Sequence, residues 1–150
     1  MGKWNIPLIL KRMLEVLMVL APVLMLALPA IIIWVKSLLV TQIFPHGWIT
    51  LAFIEVSAVF CWLILLMLRR LLTTVIESSP FLYENVQCLK RISYFSAAIA
   101  LLMLIKTFVD FSVMTPIIAI LGLLSSLFCQ TLAMVFDKAI RIKDENDLTI

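Results

Sequence analysis

Charge is what this chain has least of. Only 14% of its 150 residues are Asp, Glu, Lys or Arg, while 64% are hydrophobic and the mean hydropathy is +1.16. Soluble domains run at about half apolar and a quarter charged, so lipid must be the main solvent. Cysteine is sparse too. Cys61, Cys88 and Cys129 are scattered with no C-x-x-C pair, which supports neither a disulfide framework nor a redox motif. A four-span thiol oxidase would need paired cysteines in its external loops, and those loops contain none. His46 is the sole histidine, with no second ligand at metal spacing, so no metal site is assigned. No nucleophile converges with a base, and no cofactor is implied. The chain is expected not to be an enzyme.

What is present is a series of long apolar runs. A helix needs about 20 mainly apolar residues to cross the hydrocarbon core, and four segments qualify: Met13 to Val35, Trp48 to Leu68, Ile92 to Val109, and Met114 to Phe136. The expected fold is therefore an all-α integral membrane protein, a four-transmembrane-helix bundle forming one domain over 1–150. Lys3, Lys11 and Arg12 before the first run resemble a secretory signal. However, the run continues through Ile31-Ile32-Ile33-Trp34-Val35 and reads as an anchor. Pro22 and Pro29 within it each remove a backbone donor, and membrane helices tolerate this when neighbours satisfy the freed carbonyls.

Orientation follows from the basic residues. Lys3, Lys11, Arg12, Arg69, Arg70, Lys90, Arg91, Lys138, Arg141 and Lys143 fall on one side of the expected spans, and Lys36 and Lys106 on the other. This bias predicts a cytoplasmic N-terminus, middle connection and C-terminus. It also accounts for the net charge of +3 without direct nucleic-acid binding. The external connections, 36–47 and 110–115, are too short for a domain.

The middle connection, 69–91, is patterned as a cytoplasmic helical hairpin. Leu71, Leu72, Val75 and Ile76 keep helical spacing past the second span, and the helix should stop near Ser78. Ser79 as N-cap and Pro80 at the first helical position start the next helix. Leu82, Val86 and Leu89 then form a stripe that packs against its partner helix or also docks a cytoplasmic protein. The tail, 137–150, could continue the fourth helix, fray in solvent, or present an extended Leu148-Thr149-Ile150 ending to a partner.

Ionisable groups inside the spans are functional candidates because of their desolvation cost. Glu15, one turn after Lys11, reads as part of an interfacial ion pair. Glu55 lies about two turns into the second span, where Lys106 could pair with it or with Asp110, or where Glu55 could carry protons or cations. In the fourth span, Ala119, Gly122, Ser126 and Ala133 make a small-residue face for close helix approach, and Gln130 beside it would hydrogen-bond across the bundle.

Ser79-Pro80-Phe81, followed by Glu84-Asn85, Leu89 and Arg91-Ile92, together with the terminal Glu145-Asn146-Asp147-Leu148-Thr149-Ile150, resembles a bacterial family of four-span membrane proteins of unknown function. Its members are commonly encoded beside a Cro/CI-type (Xre) helix-turn-helix regulator. Ala139 stands where many relatives carry glycine. The resemblance implies a regulatory or interaction protein of the bacterial inner membrane that sequesters or signals to such a regulator. The candidate contact residues are Pro80, Phe81, Glu84, Asn85, Leu89, Glu145, Asp147, Leu148, Thr149 and Ile150. The bilayer is the first partner, and self-association is a further expectation. The competing reading is a small proton- or cation-coupled transporter using Glu55.

Overall fold

The computed structural model of the chain describes residues 6–38, 47–77, 82–109 and 111–148. They form four helices: α1 (Ile6–Leu38), α2 (Gly47–Glu77), α3 (Tyr83–Val109) and α4 (Met114–Leu148). Each is long and apolar enough to cross a membrane. At about 1.5 Å per residue, all four exceed the hydrocarbon thickness, so their ends reach past it.

Contacts join only consecutive helices: α1 to α2, α2 to α3 and α3 to α4. The described residues therefore form a row rather than a closed four-helix bundle. Each pair is antiparallel. Glu15 of α1 meets Arg69 of α2, and Leu71 of α2 packs with Val86 and Leu89 of α3. Ser93 of α3 reaches Ser126 of α4. The accessible surface is 10853 Å² for 17.1 kDa, against about 7,750 Å² expected for a compact soluble chain of that mass. The excess is mostly exposed Leu, Ile, Val and Phe on α1 and α4, the surface a bilayer would cover.

The centre of the row is α3. Some 39% of its apolar window is buried, against 6% for α1. Small side chains explain the difference. Gly122 of α4 lies so near α3 that a Cβ placed on it would come within 3.1 Å of the Ala100 Cβ and 3.3 Å of the Ser96 carbonyl oxygen. Ala119 and Ala133 flank it at 1% and 0% exposure. The small-residue face expected of α4 thus finds a matching one on α3, made of Ser93, Ser96 and Ala100.

Pro22 and Pro29 lie inside a continuous α1. Pro22 has no N–H for the carbonyl of Met18, four residues earlier. Trp62 of α2 donates its indole Nε1–H to that carbonyl at 3.4 Å. A neighbouring helix thus supplies the donor that the proline removes.

Several boundaries differ from the sequence reading. Leu82 is not helical, so α3 opens at Tyr83 rather than Pro80. The Asn85 N–H bonds the Leu82 carbonyl at 3.0 Å to make its first turn. From there α3 runs unbroken to Val109, so the second arm of the 69–91 segment is the start of the third span itself. The tail is helical through Leu148, which removes the extended ending at that residue. Asp137 and Arg141, paired at 3.2 Å one turn apart, support this continuation. The tight turn expected between the last two helices is present, with the Thr115 hydroxyl and N–H both donating to the Ser112 carbonyl at 2.7 and 3.1 Å.

Candidate functional site

The antiparallel order brings the first turns of α1 and α3 together with the last turns of α2 and α4. Lys11, Arg12, Arg69, Arg70, Lys90, Arg91, Lys138, Arg141 and Lys143 all fall at this end, whereas Lys36 and Lys106 fall at the other. We call the first the basic end. It contains two distinct features.

One is the meeting of α2, α3 and α4. Val86, Leu89 and Ala133 are buried there, with Leu71, Leu132, Phe136 and Ile140 packed around them. Val86 and Leu89 of the expected stripe therefore serve helix packing. Asn85 and Leu89, expected at a partner surface, are only 2% and 5% exposed, since their face of α3 turns inward. Glu84 is exposed. Pro80, Phe81, Thr149 and Ile150 lie outside the described residues, as do the side chains of Asp147 and Leu148. Beyond Ile140 the last turns of α4 leave the packed cluster, and Arg141 through Asn146 are exposed, Glu145 among them.

The other is a cleft of about 570 Å³ where α1, α2 and α3 converge, into which Lys11, Arg69, Arg70 and Arg91 project. Its polar lining also includes Glu84 and Gln87. Arg69 lies 3.6 Å from Glu15, both about half exposed. The sequence reading took these cations as markers of orientation, with Lys11 also as the partner of Glu15, where the structure places Arg69 beside Glu15. The convergence of the cations from three helices was not visible because it depends on how the helices turn toward one another.

Between the ends, polar groups are satisfied mostly within the helix pair. The Ser93 hydroxyl donates toward the Ser126 carbonyl at 2.9 Å and Gln130 Oε1 at 3.0 Å, and lies 3.1 Å from the Ser126 hydroxyl, where either oxygen can donate. Gln130 thus bonds across the α3–α4 seam as expected. Ser96 donates to the Gly122 carbonyl at 3.1 Å. Ser57, Thr107 and Thr131 bond back to carbonyls one turn earlier, the usual refuge of a hydroxyl in an apolar helix.

The other intramembrane candidates are Glu55 and Lys106. They fall within about one turn of the same level, on adjacent helices, but no ion pair joins them among the described residues. The alternative partner, Asp110, lies outside those residues. Lys106 is 6% exposed, and Glu55 Oε1 is buried without a hydrogen-bond partner. Among the described residues no group of His, Cys, Asp and Glu is placed to hold a metal ion.

Four antiparallel apolar helices, with hydroxyls bonded internally and cations gathered at one end, define a multi-pass membrane protein. The chain belongs to the family described as "Protein of unknown function (DUF2975)", whose pattern matches residues 12–150. No curated protein and no solved structure matches it.

Proposed function

We propose that this is a membrane-embedded interaction protein of the bacterial inner membrane, with both termini cytoplasmic, that regulates a soluble partner through its basic end. The orientation rests on the distribution of Lys and Arg. The observation that carries the interaction reading is α4. Phe136 and Ile140 pin it against α3, and the same helix then continues with Arg141 through Asn146 exposed. A helix anchored by one face, with its last turns exposed, is suited to lie in a partner's groove. The family resemblance supplies the identity of that partner, a Cro/CI-type helix-turn-helix regulator held at or released from the membrane.

The test is affinity capture from native membranes, using the intact chain and one lacking residues 145–150. Recovery of a helix-turn-helix protein by the intact chain alone supports the reading, and its recovery by neither chain rejects it.

One observation favours a second reading. A buried carboxylate oxygen without a hydrogen-bond partner, near a buried lysine, is a costly arrangement in a membrane span, and a proton- or cation-coupled transporter would use it. Proton-coupled uptake into vesicles that is abolished by Glu55→Gln would favour transport. Uptake equal to that of empty vesicles would remove it.

A further inference from the structure

The cleft between α1, α2 and α3 brings together Lys11, Arg69, Arg70 and Arg91. Among the described residues the carboxylates at the cleft are Glu84 in its wall and Glu15 beside Arg69, against four cations. Like charges drawn from three helices repel one another. An anion seated among them relieves the repulsion. Guanidinium groups match phosphate oxygens with paired donors, and Gln87 adds a neutral donor to the wall.

A shallow groove beside the cleft indicates how that phosphate arrives. Glu15, whose partner Arg69 lines the cleft, borders this groove along α1 together with Arg12, Val16, Val19, Leu20 and Val23. Past Arg12 and Glu15, in the direction of the span, its lining is apolar. A soluble anion has no use for such a groove, whereas an acyl chain does.

We propose that this cleft is a binding site for a phosphate-bearing anion, the head group of an anionic phospholipid whose acyl chain follows the α1 groove. The site lies away from the exposed end of α4 and does not depend on the interaction reading above.

The experiment uses the full chain in detergent, with bound lipid read by native mass spectrometry after addition of phosphatidylglycerol or phosphatidylcholine. Phosphatidylglycerol should be retained and phosphatidylcholine should not. Arg70→Gln with Arg91→Gln should weaken retention by about tenfold or more, as expected for loss of charge-assisted bonds. Lys138→Gln with Lys143→Gln, which removes the same charge outside the cleft, should leave retention unchanged.

If the first pair unfolds the chain, Arg70→Lys with Arg91→Lys keeps the charge but loses the forked donors, and retention should still fall by a few-fold. Equal losses in the cleft and control variants, or no loss in either, would overturn the site. Complete displacement of phosphatidylglycerol by millimolar inorganic phosphate or glycerol phosphate would overturn the lipid source.

Discussion

The two outer pairings of the row differ in kind. Between α3 and α4 the backbones meet through Gly122, Ala100, Ala119 and Ala133, and serine hydroxyls cross the seam. Between α1 and α2 the polar contacts include an ion pair at 3.6 Å and an indole-to-carbonyl bond at 3.4 Å, and most of α1 is exposed. Yet α1 is the richer in large apolar residues. In lipid such residues gain little by leaving the acyl chains for a neighbouring helix. Close approach and interhelical hydrogen bonds hold membrane helices together instead.

The largest effect should come from breaking the tight seam. Gly122→Val puts a branched side chain where even a Cβ meets Ala100 at 3.1 Å, and should cost about 1–3 kcal/mol by overpacking, read as a drop in unfolding temperature in detergent. A stability unchanged by Gly122→Val would mean that α3 and α4 are less close than described.

Ser93→Ala removes the donor shared by Ser126 and Gln130, and about 0.6–1.7 kcal/mol is expected. Combined with Gln130→Leu, it should cost less than the two changes separately. Strict additivity would show that the Ser93–Gln130 bond carries no energy.

At the looser pairing, Trp62→Phe removes the donor to the Met18 carbonyl, with about 0.5–1.5 kcal/mol lost. Pro22→Ala restores an N–H within α1, so Trp62→Phe should cost less in that background. An equal cost in both backgrounds would assign the effect of Trp62 to packing alone. The smallest effect belongs to Glu15→Gln. Its half-exposed pair with Arg69 is worth about 0.2–1 kcal/mol and should fade with added salt. A larger, salt-insensitive loss would move the pair out of the headgroup region.

Much of this was legible in the chain. The last helix begins at Met114 and the third ends at Val109 where hydropathy places them, whereas at the basic end the helices run on past their apolar stretches. The role of Gln130 was legible too. A primary amide next to a small-residue face has few partners other than the facing helix. Asn85 and Leu89, expected as partner contacts, are buried within the chain. Their spacing specifies a common face of α3 but not whether α4 or solvent covers it. The helical tail was open to three readings because its propensities are mixed, and packing of Phe136 and Ile140 on α3 decided among them.

Four spanning helices and the separation of their basic from their nearly uncharged ends are properties of the sequence alone, since hydrophobic length and the placement of Lys and Arg are written along one dimension. The arrangement of those helices is not. Lipid solvates every apolar face about equally, so hydropathy does not say which helix meets which. Only the tertiary structure decides that α3 lies at the centre of a row, that Trp62 answers the proline of α1, and that four cations from three helices share one cleft.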